Sequence, residues 1–232
     1  MTVVAFDLDD TLFEERQFLL SAYRHIAADL CHRGIADREK ALRTMTQGGF
    51  DALMAEIECE HGWSPSEREE RVSVRWCVDS YRSHHPDISL DADADGTLGR
   101  LSADKDILLA LVTDGRSITQ RNKIEALGLT RYFTPENIFI SEETGHDKHS
   151  PHSFHELMGR YGDSLYVYIG DNPAKDFVWP NHLGWMTIGL LDRGNNIHRQ
   201  DVVYDSDNQP KVWVKTLADA YDIISNDPAI RL

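Results

Sequence analysis

Five short apolar runs, most of them halting at a polar residue, constrain this chain more than any other feature. Thr2–Phe6 is a β-branched apolar run that stops at Asp7. Ile107–Val112 (ILLALV), Asn137–Ile140 (NIFI), Leu165–Ile169 (LYVYI) and Trp185–Leu190 (WMTIGL) repeat it. Runs of this length without polar alternation read as strands buried on both faces. Each run after the first is separated from the next by a stretch that reads as a helix. These are Ser117–Leu127, with Ser117 as its cap and Gln120 three residues on, then His152–Tyr161 and Ala174–Leu183. Strands alternating with helices predict an α/β fold: a doubly wound, Rossmann-like parallel sheet.

The stretch 14–86 breaks the pattern. It has no convincing strand, and Phe18, Leu19, Tyr23, Ile26 and Leu30 recur at helical spacing. Ser64-Pro65-Ser66-Glu67 opens a helix with a cap, a proline at the first position and an acid at the third. That helix is expected to carry Val72, Trp76 and Tyr81 toward a core, and Gly48-Gly49 and Gly62 to divide the segment into several helices. The predicted organisation is a core of residues 1–13 and 87–232 with a helical insertion, 14–86, between the first and second strands. Asp91, Asp93, Asp95 and Gly96 imitate the start of a calcium loop, but Ser102 stands where that loop needs Glu. The stretch reads instead as a polar link back to the sheet. His146, His149, His152 and His155 recur every third residue but straddle Pro151, so one shared metal-binding face is not expected.

Composition narrows the partners. Among 232 residues there are 24 Lys and Arg against 39 Asp and Glu, a formal net charge of −15. Such a chain is not built for nucleic acid or an anionic membrane. An anionic substrate would need a local source of positive charge. Cys31, Cys59 and Cys77 have no CxxC spacing, which fits a reducing compartment without a disulfide framework. The longest apolar runs are too short to span a bilayer, and MTVVAFDLDD lacks the pattern of a signal peptide, so a soluble cytoplasmic protein is expected.

The polar residues at the strand ends carry the chemistry. The first strand runs into Asp7-Leu8-Asp9-Asp10-Thr11 and the second into Thr113-Asp114-Gly115; Lys148 follows the third; Gly170-Asp171 closes the fourth, with Asp176 five residues later. In an open parallel sheet ligands bind beyond the carboxyl ends of the strands, so these groups should converge. Asp7, Asp9, Asp171 and Asp176 together would repel one another without a cation, and hard oxygen donors with room for water suit Mg²⁺. Lys148 adds a positive charge, Thr113 a hydroxyl, and the backbone N–H groups at Asp114 and Gly115 lie near a helix start where anion oxygens bind. The set is that of a phosphate site.

The chain resembles the haloacid dehalogenase-like superfamily of phosphohydrolases. DLDDT (Asp7–Thr11) is similar to the family's DxDx[TV], LVTDG (Leu111–Gly115) to its Thr/Ser motif, Lys148 to its lysine and GDNPAKD (Gly170–Asp176) to GDxxxxD, in family order. TDGRSITQRNKIEALGL resembles the subgroup whose helical cap follows the first motif. Many relatives have Lys-Pro, whereas here Lys148 is followed by His149 and proline arrives at Pro151. The resemblance implies Asp7 as nucleophile and Asp9 as general acid and base, its backbone carbonyl also reaching the metal. It further implies Asp171 as a Mg²⁺ ligand, Asp176 as an acid orienting water or Lys148, and Thr113, Asp114 and Lys148 around the phosphoryl group. It implies a small phosphorylated metabolite as substrate, chosen by the cap. True dehalogenases of the superfamily lack the second Asp, so Asp9 favours phosphate esters. A phosphomutase would use the same residues. A phospho-Asp receiver switch would need its acceptor after the third strand, in a shorter chain without the insertion.

Overall fold

β1 (Thr2–Phe6) is wholly buried and pairs in parallel on both sides, Ala5 facing Ala110 in one neighbour and Tyr168 in the other. The neighbours are β2 (Ile107–Thr113) and β4 (Leu165–Gly170). β3 (Ile138–Ile140), β5 (Met186–Leu190) and β6 (Val212–Val214) complete one six-stranded sheet of order β3-β2-β1-β4-β5-β6, with every pairing parallel. The computed structural model describes residues 1–198, 200 and 205–226.

The order of the strands places the site. Winding runs outward from β1 through β2 to β3, then returns to the other side of β1 and proceeds through β4 to β6. The direction reverses between β1 and β4, and the crevice beyond the carboxyl ends of those two strands is where such folds bind ligands. Both sheet faces are covered, as parallel sheets require. Val3, Ala5, Ala110, Val112 and Tyr168 pack with Phe154 and Leu157 of α8 (His152–Tyr161) in one buried cluster. Val4 and Phe6 alternate with Val3 and Ala5, are equally buried, and belong to the opposite face. There α5 (Ala92–Ser102) packs against β2 and against α10 (Leu217–Asn226).

The chain divides into two compact units, residues 1–16 with 89–232, and residues 17–88. The second is helical. α1 (Glu15–His32), α2 (Arg38–His61), α3 (Pro65–Glu69) and α4 (Val74–Ser83) supply it, and Ile26, Leu30, Met45, Leu53, Ile57, Val72 and Cys77 form its core. Burying residues of this size is worth about 1.5–3 kcal/mol each, so the unit has a core of its own. Cys77 is buried there, its thiol pushed up to about 12 by burial, and all three cysteines are unpaired.

Several local expectations need correction. The Ser64 capping box forms, but α3 ends at Glu69, and a second cap, Ser73, starts α4, which carries Trp76 and Tyr81. The glycine breaks stand as expected: at Gly49 (φ 67°, ψ −157°) the backbone leaves helical geometry and two helices meet within α2, and Gly62 ends the second in the left-handed region. Residues 91–96 are no polar link: Asp91 caps α5, Asp93 accepts from the first amides of α10, and Asp95 pairs with Arg131 and Tyr132. Ser117 is the first residue of α6 (Ser117–Ala126), whose cap position is Arg116. The helix predicted over 174–183 is the shorter α9 (Val178–His182), and β6 was not foreseen. Among the described residues no helix is long and apolar enough to cross a membrane.

Candidate active site

Asp7 is the first residue beyond β1, and its amide donates to the carbonyl of Ile169 at 2.8 Å, which ties the ends of β1 and β4 together. The residue is 3% exposed. Lys148, fully buried, puts Nζ 2.5 Å from Oδ1 of Asp7 and 2.8 Å from Oδ1 of Asp176. Asp176 Oδ2 accepts from the amides of Asp171 (3.1 Å) and Asn172 (2.8 Å), and Oδ1 also receives the Tyr168 hydroxyl at 3.4 Å. Four donors saturate a carboxylate. Gly170 makes that approach possible, because a Cβ there would lie 2.5 Å from Asp176 Oδ2.

One carboxylate oxygen each from Asp7, Asp171 and Asp176 come within 4.8 Å of one another, all three residues buried. Burial, with Asp176 as a like charge, raises Asp7 to about 7 against the pull of Lys148. Burial followed by the charges of Asp176 and Asp7 lifts Asp171 well above the carboxylate range. Burial alone would lower Lys148, but the carboxylates of Asp176 and Asp7 outweigh it and raise it well above its ordinary value. One ammonium does not balance three buried acids. A hard divalent cation fits this oxygen set. Because Asp176 is saturated, Asp7 and Asp171 are the residues left to hold one, and the Asn196 amide, 2.9 Å from Asp171 Oδ2, orients the latter.

Asp9 has a separate set of partners, on α6. Its Oδ1 is 2.6 Å from Lys123 Nζ and its Oδ2 accepts from Gln120 Nε2 at 3.0 Å. The same amide donates to Thr113 Oγ1 at 2.6 Å. Glu15 stands 3.9 Å from Lys123; burial, then the charge of Asp9, raises it to about 7 although Lys123 opposes this. Asp10 adopts a left-handed conformation (φ 54°), which Asp tolerates better than most residues. Its carboxylate caps Glu15 N at 2.8 Å and holds Ile197 N at 2.8 Å.

The seven residues singled out from sequence therefore fall into linked groups. Asp7, Lys148, Asp171 and Asp176 form one; Asp9 and Thr113 form a second, joined through Gln120. Asp114 accepts from Lys148 N at 3.1 Å and lies 3.6 Å from Lys175 Nζ. The Gly115 amide, expected to be available to an anion, donates at 2.9 Å to Oγ of Ser141, the first residue of the short α7 (Ser141–Thr144). Glu15 and Asn196 were not foreseen, and Gln120 and Lys123 were not expected beside Asp9. A signal existed for the last two: α6 buries Thr119, Gln120 and Lys123 beside Ile124, so its inward face is polar and must meet polar partners.

The profile of the haloacid dehalogenase-like hydrolases matches residues 4–189. The chain belongs to that family. This haloacid dehalogenase-like hydrolase is 24% identical over 238 residues to the glyceraldehyde 3-phosphate phosphatase of Methanocaldococcus jannaschii, covering 96% of each chain. Its fold is similar to that of a 2-haloacid dehalogenase from Pseudomonas syringae (TM-score 0.61, 20% identity, 97% of this chain and 98% of the other). It is equally similar to a phosphatase of the same superfamily from Thermococcus onnurineus (TM-score 0.60, 20% identity, 98% and 99%).

Proposed function

We propose that this hydrolase is a Mg²⁺-dependent phosphatase of the cytoplasm, which cleaves a small-molecule phosphate monoester through an aspartyl-phosphate on Asp7. The observation that carries the reading is Asp9. A halide leaves without a proton, whereas an alkoxide needs one, and Asp9 places a second carboxylate two residues from Asp7 with both oxygens anchored. The phosphatase name of the Methanocaldococcus relative supports the same substrate class.

Asp7 attacks phosphorus while Asp9 protonates the leaving oxygen; water then attacks the acyl phosphate with Asp9 as base. Lys148 neutralises the phosphoryl oxygens and holds Asp7 in place, fixed in turn by the saturated Asp176. Thr113 accepts from Gln120 and keeps its own proton for a phosphoryl oxygen. Mg²⁺ would be held by Asp7, Asp171 and the Asp9 carbonyl, and when bound supplies the charge that lets an anionic ester approach these acids. The helical insertion, residues 14–86, is the part of the chain assigned to choosing among esters.

The test is a screen of sugar phosphates, nucleotides, short acid phosphates and 2-chloropropionate, with and without Mg²⁺. Phosphate release matching ester consumption, only with Mg²⁺, supports the reading. Chloride release without phosphatase activity refutes it, and transfer of phosphate to a second sugar without free phosphate makes the protein a mutase.

A further inference from the structure

Among the described residues Lys123 is the most sequestered cation in this unit outside the Lys148 cluster, and the proposed reaction gives it nothing to do. It is 3% exposed. Taking an ammonium out of water costs several kcal/mol unless partners replace the lost hydration, and an apolar residue would fill the inner face of α6 more cheaply. Lys123 stands 2.6 Å from Asp9 Oδ1, 3.9 Å from Glu15 Oε1 and 5.8 Å from the centroid of the Phe13 ring, so the Asp9 carboxylate is its short ion-pair partner. Gln120 lies one helical turn earlier, on the same face, and pins Asp9 Oδ2.

Each Asp9 oxygen thus has one lone pair engaged from the α6 side. Each keeps another for a proton. The plane of the carboxyl group is fixed by two donors three residues apart on one helix, and the Gln120 amide couples that plane to the Thr113 hydroxyl at 2.6 Å. Both oxygens of Asp9 and the hydroxyl read as a phosphoryl ligand are therefore indexed to a single rigid element.

We propose that Lys123 is a positioning residue for proton transfer: from α6 it sets the place and orientation of the Asp9 carboxyl group. This rests on the reading of Asp9 as acid and base. It goes beyond that reading in making α6, not the β1 loop alone, the element that aims the proton. Misplacing a reacting group by about 1 Å can cost about 10²-fold in rate, so the effect belongs in the chemical steps and not in the binding of the ester.

The experiment uses the full-length protein with Mg²⁺ and p-nitrophenyl phosphate, comparing wild type, Asp9→Asn, Lys123→Met and the double variant in the steady state and by rapid quench. Lys123→Met should lower kcat about 10- to 100-fold and lower KM with it, leaving kcat/KM for this aryl ester nearly unchanged. It should release a burst of nitrophenol before slow turnover, because the aryl group leaves without help while the water step has lost its aimed base. The double variant should be no slower than Asp9→Asn, since Lys123 has nothing left to aim. Losses that multiply overturn the proposal, as does a Lys123→Met enzyme with wild-type kcat and only a lower Tm, which would make the pair a structural ion bridge. Unimpaired Asp9→Asn would instead sink the acid–base reading on which the proposal depends, a separable result. Should Lys123→Met not fold, because Glu15 and Asp9 lose their shared cation, the same cycle is run in a Glu15→Gln background.

Discussion

The ammonium of Lys148 lies 2.5 Å from the carboxylate of Asp7, and both are sealed from water. Neither charge could stay there alone. Removing one member of a buried pair typically costs about 3–5 kcal/mol, because the other remains without a partner. Lys148→Ala strips the cation from Asp7 and Asp176 together. Denaturant titration should show a loss of about 3 kcal/mol or more, and phosphatase activity should fall to background. Lys148→Met, which keeps the volume, should restore some stability and no activity.

Divalent cation should stabilise the folded protein. The oxygens of Asp7, Asp171 and Asp176 lie within 4.8 Å of one another, and a ligand present at about 100 times its dissociation constant adds about 2.7 kcal/mol. For a chain of this size that is a rise of about 5–10 °C in Tm. Differential scanning fluorimetry with Mg²⁺ and with EDTA measures it. Asp171→Asn should reduce the rise, and it should raise the Tm in EDTA, since one of three crowded acids is gone.

Glu15 carries a pH signature. Its folded pKa, about 7, lies above the ordinary carboxyl value of 4.5, so the folded state holds the proton more tightly. The stability this contributes is present below about 4.5 and is lost as pH rises through about 7. Glu15→Gln removes that dependence. It should match wild type near pH 4.5 and exceed it by on the order of 1 kcal/mol at pH 8, read from urea midpoints across the range.

Gly170 is held by its neighbour rather than by its backbone angles. An added Cβ would stand 2.5 Å from Asp176 Oδ2 and 2.8 Å from its Cγ. The carboxylate cannot retreat without losing the amides of Asp171 and Asn172. Gly170→Ala should therefore cost about 1–3 kcal/mol and displace Lys148. Activity should fall further than in Gly159→Ala, a control on α8 whose Cβ meets nothing within 4 Å.

Much of this arrangement was legible before any coordinates, for a physical reason. Strands buried on both faces are unbroken apolar runs, so their carboxyl ends, and with them Asp7, Thr113 and Asp171, can be found by where hydrophobicity stops. β6 escaped because Val212–Val214 is three residues long and follows Pro210 and Lys211. α5 escaped because its opening acids resemble a loop, yet Asp91 is its cap and Asp93 serves α10. Ala94, Leu98 and Leu101 are buried at helical spacing and could have shown it. Gln120 and Lys123 were not placed beside Asp9 because polar residues on a helix are ordinarily solvated. Their burial depends on Asp9, more than a hundred residues earlier in the chain, and no local pattern records that. The same holds for Asn196 and Asp171, which only the return of the chain after β5 brings together.

The covalent step at Asp7 is the claim on which the rest stands, and it can be seen directly. Asp9→Asn enzyme, mixed with p-nitrophenyl phosphate and Mg²⁺ and quenched in acid within the burst, should carry one phosphoryl group, which peptide mass spectrometry should place on Asp7. The matching Asp7→Asn protein should carry none and should retain less than about a hundredth of wild-type turnover. An unmodified Asp7 during the burst, or an Asp7→Asn enzyme that still turns over at the wild-type rate, would contradict it.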